Sequence, residues 1–547
     1  MAARAERLAT GSTGRAIPGA AWPGLLLAAA MAGLVVAAFA SLLGEVDRAS
    51  AVAALGDSYL WRVVRFTLLQ AGLSTLVSLV PAVLLARALA RRPRFPGRAL
   101  LVRLLGLPMV IPVIVSVFGI VAIFGQAGIA NRIGAMLGLE QRTFLYGLTG
   151  ILIGHAFLNL PLATRLLLPA WTSVPGETWR LAAQLGMRSG AIFRLIEWPL
   201  LRERLPGVVA VVFMLCTTSF AVVLTLGGGP AATTIEVAIY QALRFDFDPS
   251  RASLLVLIQL GLSIVVLVAA QRWTRPFDLL AAPGRPADRP DRGGAPGMIM
   301  DSAVILVAAL FLLLPLSAIV AAGMAWDAFA IWGDVRLWQA AARSLVVALA
   351  AGTLSVVIAL ALQISIRRLA ARGAIAAGRA LDLAGSIVLG LSPLAVGAGL
   401  FLLLVGLVGP FRWSLAPVVL LTALLALPYA MRLIGPPLAQ SAAIHDRLCA
   451  SLGLAGWNRW RLVEWPQLRP SIGFALALAV TLALGDLAAI ALFGTPQNAT
   501  LPLLLYQLLA GYRMGEAAGV ALFLVLLVML LFVGIERSVG GRRLVRH

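Results

Sequence analysis

The residues best suited to do chemistry fall in two stretches, Arg180–Arg202 (RLAAQLGMRSGAIFRLIEWPLLR) and Arg447–Arg469 (RLCASLGLAGWNRWRLVEWPQLR). Sliding the sequence by 267 residues lays Leu160–Arg202 on Leu427–Arg469, with 18 identities in 43 positions. A single offset shared by so many positions marks internal duplication. The chemistry on offer is docking. Leu181, Ala182, Ala183 and Leu185 have helical spacing, and Gly186 is placed to end that helix in a left-handed conformation. Ser173 and Pro175 supply a start. In the second copy Leu448, Ala450 and Leu452 precede Gly453. Each stretch then returns through Trp-Pro, with Pro199 and Pro466 equivalent. Small side chains let another surface approach, and Arg180, Arg188, Arg194 and Glu197, with Arg447, Arg461 and Glu464, can fix its register. The competing expectation is an amphipathic loop lying on lipid headgroups.

A second chemical candidate is Asp486, in the apolar run LALGDLA, with Ser219 at the equivalent place in the first half. A carboxylate at a helix centre in hydrocarbon costs about 2.5–3.5 kcal/mol, so it is expected to face a cavity or a partner. For a cationic solute it lowers the barrier to crossing, and Phe220 can add a cation–π contact of about 0.5–2 kcal/mol. The alternative is a structural hydrogen bond to a neighbouring helix.

These residues must be positioned by membrane spans. The 547 residues are 61% hydrophobic and 12% charged, with mean hydropathy +0.96, which makes the bilayer the expected solvent. The net charge of +21 is carried by arginines in short loops, the pattern of the positive-inside rule, so nucleic acid is not expected as a partner. All 44 basic residues are Arg, so the chain cannot hold a GxxxxGK[ST] phosphate loop. Cys216 and Cys449 suggest neither a disulfide framework nor a metal site.

Apolar runs near 24–43, 66–86, 105–124, 144–169, 206–226 and 252–270 are followed by runs near 302–322, 344–364, 384–408, 414–438, 472–492 and 517–535. Each approaches the ~20 residues that cross a bilayer core. The expected fold is therefore an all-α membrane protein of about twelve spans in two duplicated six-helix halves. The first half is 1–271, with its polar loop at about 172–204. The second is 300–547, with its loop at about 439–470. A Pro-, Gly- and Arg-rich linker at 272–299 joins them and is expected to be flexible. The Ala-Phe-Ala at 38–40 imitates a signal-peptidase site, but an uncleaved span is expected because the second half also begins with an extra apolar run. Arg87, Arg91, Arg92, Arg94, Arg98 and Arg103 fall on the side of the two polar loops, as do Arg367, Arg368, Arg372 and Arg379. Both termini, with Arg4, Arg7 and Arg15 at one and Arg537, Arg542, Arg543 and Arg546 at the other, belong to the same, cytoplasmic side. Pro81, Pro108, Pro112, Pro161, Pro393 and Pro428 are expected inside spans as kinks. The loops 227–251 and 493–516, with Glu236, Asp246 and Asp248, are expected on the opposite face, receiving a partner there.

The duplicated stretches resemble the cytoplasmic loop of ABC-transporter permeases that take substrate from a periplasmic binding protein. That family's pattern is Glu-Ala-Ala-x-x-x-Gly, nine residues, then Ile-x-Leu-Pro. Here it reads Arg180-Leu181-Ala182-x-x-x-Gly186 with Ile196-Glu197-Trp198-Pro199, and Arg447-Leu448-Cys449-x-x-x-Gly453 with Val463-Glu464-Trp465-Pro466. Gly and Pro match in both copies, while Arg replaces the family's Glu and Trp its Leu. The resemblance implies a coupling helix in each loop that fits a groove on an ATPase subunit, hence two ATP-binding subunits per chain. ATP and Mg are then bound by those partners, with no cofactor or catalytic residue on this chain, and a periplasmic binding protein is the further partner. Over nearly its whole length the chain is similar to fused twelve-span permeases of thiamine and ferric-iron importers. Ser219–Pro230, continuing through Ile235-Glu236 and Tyr240-Gln241, and Ala491–Gly494 with Leu505-Tyr506-Gln507, look like the thiamine permeases. The implied function is import of thiamine, with its phosphate esters, ferric iron or another solute as alternatives, across the bacterial inner membrane. An ion-coupled secondary transporter is the rival from another class. It needs intramembrane ionisable groups, of which Asp486 and His155 are nearly the whole supply, and it leaves the duplicated loops unexplained.

Overall fold

In a computed structural model, residues 22–46, 56–106, 110–126, 128–138, 144–273, 289–292, 294–386, 391–407 and 415–541 are described. Residues 1–21 of the expected N-terminal tail, Pro108, most of the linker, and Arg542, Arg543 and Arg546 lie outside them. Every regular element among the described residues is helical.

The first half runs α1 (Trp22–Gly44), α2 (Ser58–Arg91), α3 (Val113–Phe124), α4 (Leu148–Thr172), α5 (Gly176–Gln184), α6 (Trp198–Thr217), α7 (Ala221–Leu226), α8 (Ile235–Arg244) and α9 (Pro249–Trp273). The second runs α10 (Ala295–Gly323), α11 (Val335–Ala370), α12 (Pro393–Leu407), α13 (Leu415–Ser451), α14 (Trp465–Gly485), α15 (Ala488–Phe493), α16 (Leu501–Ala510) and α17 (Met514–Gly540). Ten helical stretches among the described residues are long and apolar enough to cross a membrane. The two other expected spans coincide with interrupted or shorter helices, α6–α7 and α12.

Local chemistry repeats between the halves. Asp57 Oδ1 accepts the Tyr59 N–H at the start of α2, and Asp334 Oδ1 accepts the Arg336 N–H at the start of α11, both at 2.8 Å. The Thr67 hydroxyl accepts the Ile235 N–H that opens α8 at 3.0 Å, and Ser344 does the same for Leu501 and α16 at 2.8 Å. These short helices thus begin inside the bundle, on hydroxyls of the long helices. Pro161 and Pro428 lie inside α4 and α13, and Pro81 inside α2, as expected. Pro112 and Pro393 instead stand at helix starts, where the missing N–H removes no bond.

The opening helix of each half packs on the other half. The α1 helix lies on α11 and α12 of the second half. There a Cβ on Gly399 would come within 2.6 Å of the Ala38 carbonyl oxygen, so only glycine permits the approach. Conversely α10 lies against α2 and α3, where Gly119 gives the same close passage to the Pro315 backbone. One apolar core crosses the seam, joining Ile111, Ile114 and Phe118 to Val480, Leu484 and Leu492. The halves are interlocked, which the duplication in the sequence does not reveal.

Candidate functional site: the duplicated loops and the buried carboxylates

The α2 helix, 34 residues long, measures about 50 Å at 1.5 Å per residue and overshoots a ~30 Å hydrocarbon core. Its last turns carry Arg87 and Arg91 to the first loop. There α5 begins after Pro175 and ends at Gly186, whose φ is +60°. The Met187 N–H donates to the Ala182 carbonyl and the Gly186 N–H to Ala183, both at 3.0 Å, which is a full Schellman cap. In the second loop Leu454 donates to Cys449 at 2.9 Å and Gly453 to Ala450 at 3.3 Å, with Gly453 at φ +65°. The left-handed stops expected at both glycines are present. The copies differ upstream. Ala442 replaces Pro175, so α13 runs unbroken from the bilayer through the loop helix, whereas α4 and α5 are separate.

After each cap the chain returns through a π-turn, Phe193–Glu197 and Trp460–Glu464. Pro199 and Pro466 follow two residues later and cannot donate, and the proline ring crowds the carbonyl four residues back. The wider turn, with Trp198 N–H on the Phe193 carbonyl and Trp465 on Trp460, accommodates it. It also aims Glu197 and Glu464 inward. Both are buried, at 1% and 4% exposure, so neither faces a partner; the expectation that they fix the register of docking is corrected. They are internal struts. Glu197 accepts Arg87 Nε at 2.7 Å, Trp171 Nε1 at 2.9 Å and an Arg289 guanidinium nitrogen at 2.5 Å. Glu464 accepts Arg367 at 2.8 Å and Arg459 at 2.7 Å.

The outward face is apolar, and it repeats. Leu181, Leu185, Leu195 and Trp198 are exposed, and so are Leu448, Leu452, Leu462 and Trp465 at the same offset of 267. Arg180, Ala183 and Gly186 share this exposed surface, as do Arg447, Ala450 and Gly453. Ala182 is buried on the inner face of α5 with Trp179, and Pro199 is half-buried while Pro466 is exposed. The outward Leu185, Leu195 and Trp198 were legible as identities across the offset; their exposure was not.

The part of the linker that is described makes specific side-chain contacts. Arg289 grips Asp291 through two bonds of 2.8 Å and lies over the Trp179 ring at 4.2 Å from its centroid. Asp291 also accepts Arg91 at 3.2 Å, and Asp301 of α10 accepts Arg91 at 3.3 Å and Arg92 at 3.0 Å. Burial pushes the Arg289 guanidinium down, but its bonds to Asp291 and the charge of Glu197 outweigh this and hold it above its usual value. Burial likewise pushes the Asp291 carboxyl up, and Arg289 then brings it below the ordinary carboxylate value. Three arginines that mark sidedness in the sequence are therefore also committed to ion pairs.

Asp486 is not inside a helix. It ends α14 in extended conformation, and its Oδ1 accepts the Ala488 N–H at 3.0 Å, opening α15. Ser219 lies at the matching break between α6 and α7. The Asp486 Oδ2 is sealed from solvent and has no partner. Phe220, 5% exposed, meets Tyr240 edge-on at 5.2 Å. One turn before Tyr240 on α8, Glu236 is fully buried, with the Ser392 hydroxyl of the other half beside its carboxyl group. Glu236 therefore cannot steer a partner from an outer loop, as the sequence suggested. Asp246 is exposed and Asp248 partly so, with Asp248 Oδ1 accepting the Arg251 N–H.

A duplicated, interlocked helical bundle with two matching loop helices, carboxylates buried between its halves and ten membrane-length apolar helices among the described residues has the architecture of a multi-pass membrane permease. Comparison with known proteins gives the family. No protein-family model matches the chain. It is 43% identical over 530 residues to the thiamine transport system permease protein ThiP of Brucella abortus, covering 93% of this chain and 95% of that one. To ThiP of Escherichia coli K12 it is 43% identical over 529 residues, covering 96% and 97%. The molybdenum transport system permease protein ModB of Escherichia coli is 28% identical over 217 residues, 39% of this chain and 92% of ModB. The chain belongs to the thiamine transport system permease family, a family of ABC permeases of the bacterial inner membrane.

Proposed function

We propose that this chain is the translocation subunit of an ATP-driven thiamine importer, with six spans per half, twelve in all, and with both loops and both termini cytoplasmic. The observation that carries the mechanism is the pair of identical exposed apolar surfaces, Leu181-Leu185-Leu195-Trp198 and Leu448-Leu452-Leu462-Trp465, each built round a left-handed glycine cap. Such surfaces suit two copies of one ATP-binding subunit. The ModB match over less than half of this chain supports division into a first half (1–271) and a second (300–547). ATP and Mg belong on the partners, and closure of the ATPase pair moves the two loops. The α13 helix, continuous from bilayer to loop, links that motion to the bundle.

The substrate path runs along the seam between the halves. Asp486 Oδ2, the Glu236 carboxyl group and the Phe220–Tyr240 pair offer carboxyl oxygens and aromatic faces to an organic cation. Ser219 holds the first-half position matching Asp486. At the far end, Phe247 and Tyr512 occupy equivalent turns after α8 and α16, both exposed and both at positive φ, +52° and +55°. A bulky residue held there is strained, and these turns are suited to receive a periplasmic binding protein.

The test is reconstitution of the chain with its ATPase and binding protein in proteoliposomes. Two ATPase subunits per chain and ATP hydrolysis stimulated by thiamine-loaded binding protein are expected. One ATPase per chain in the active complex overturns the assignment of both loops.

A further inference from the structure

We propose that Arg289 is a positioning residue for the first coupling loop: the segment between the halves completes that loop, whereas the second loop completes itself. The coupling role of the loops rests on the proposed function; the latch itself does not.

Each loop buries one glutamate and gives it two arginines. The first arginine has the same source in both halves, Arg87 from the end of α2 and Arg367 from the end of α11. The second does not. Arg459 stands within the second loop and pairs with both Glu464 and Asp446. At the offset of 267 the first loop has Ile192 in place of Arg459 and Trp179 in place of Asp446. An isoleucine cannot reach Glu197 with charge, and the Trp179–Ile192 pair is buried as apolar packing instead. The missing cation arrives from the linker: Arg289 covers the Trp179 ring and reaches Glu197. The substitutions at 179 and 192 and the arrival of Arg289 thus form one exchange, an ionic pair inside the loop replaced by a cation–π and ionic contact from outside it.

The exchange has a mechanical consequence. Asp291 holds Arg289 and is itself held by Arg91, while Asp301 ties Arg91 and Arg92 to α10. The first loop is thereby fixed to the opening helix of the second half. The second loop is anchored to its own helices, with Asp446 half-exposed. One chain therefore presents two docking sites with matching outer surfaces and different supports.

The experiment is hydrogen–deuterium exchange on the full-length chain in nanodiscs without partners, comparing residues 176–186 with 443–453. Arg289→Ala is expected to raise exchange over 176–186 by at least about tenfold and leave 443–453 unchanged, and Arg459→Ala to do the reverse. Arg289→Lys keeps charge but not the planar fork and is expected to restore part of the protection, which also keeps the test decisive if the alanine variant is poorly folded. In the reconstituted importer Arg289→Ala lowers thiamine moved per ATP hydrolysed more than it lowers hydrolysis. Exchange over 176–186 that does not change, or that changes equally in both loops, overturns the proposal. A selective exchange effect with only one ATPase bound per chain leaves the latch standing and removes the docking assignment instead.

Discussion

Gly186 and Gly453 allow backbone strain to be separated from packing. Both stand at φ of +60° to +65°, and a Cβ built at either meets nothing within 4 Å. Any loss on substitution therefore comes from the backbone conformation and not from a clash. An L-residue in the left-handed region loses about 1–2 kcal/mol, asparagine less because its side chain can bond locally, and a β-branched residue most. At about 1.4 kcal/mol per factor of ten, Gly→Ala opens the cap roughly fivefold more often and Gly→Val more than tenfold, with Gly→Asn in between wild type and alanine. The cap shapes the outward leucines, so coupling should follow the same order. The assay is uptake of labelled thiamine alongside ATPase co-purification from the membrane, with expression and insertion unchanged. An order of Gly, Asn, Ala, Val supports the cap. Asparagine as damaging as valine would refute it, because the two differ chiefly in tolerance of positive φ, as would equal uptake for all four.

Leu181→Ser with Leu185→Ser, and the matching Leu448→Ser with Leu452→Ser, should each weaken ATPase binding by more than tenfold in a pull-down, because both residues are exposed and contribute little to the fold. Asp486→Asn keeps the bond to Ala488 and removes charge, so thiamine uptake should fall several-fold with assembly intact; normal uptake leaves Asp486 only its capping role. Tyr512→Gly should stabilise its turn by roughly 1 kcal/mol, by relief of positive φ, while lowering stimulation by the binding protein; unchanged stimulation removes that surface from docking. For pH, the Asp291 carboxyl is held below its usual 3.8, so its contribution is complete above that value and is lost as pH falls through the lower folded value. Protection of 176–186 should therefore stay level from neutrality to about pH 4 and fall only below it.

Sequence alone determined the duplication, the all-helical membrane class, both helix-ending glycines and the position of the loops. Each rests on a local signal: an identity at fixed offset, an apolar run of fixed length, or a residue type with a particular backbone freedom. Sequence also marked Asp486 as exceptional, since a carboxylate in an apolar run is costly wherever the run is placed. What it did not contain was direction and partnership. Glu197 and Glu464 read as surface charges and are buried struts, because a π-turn rotates them inward. Glu236 sits in what reads as an outer loop and is sealed in the core, because Thr67 opens its helix inside the bundle. The crossing of α1 and α10 onto opposite halves has no local signature at all. Arg289 has none either: one arginine in a Pro- and Gly-rich linker resembles any other until folding brings it to Trp179 and Glu197 across about a hundred residues of chain. Local residue type fixes which conformations and burials are affordable, whereas the pairing of charges distant in sequence is decided only when the helices close on one another.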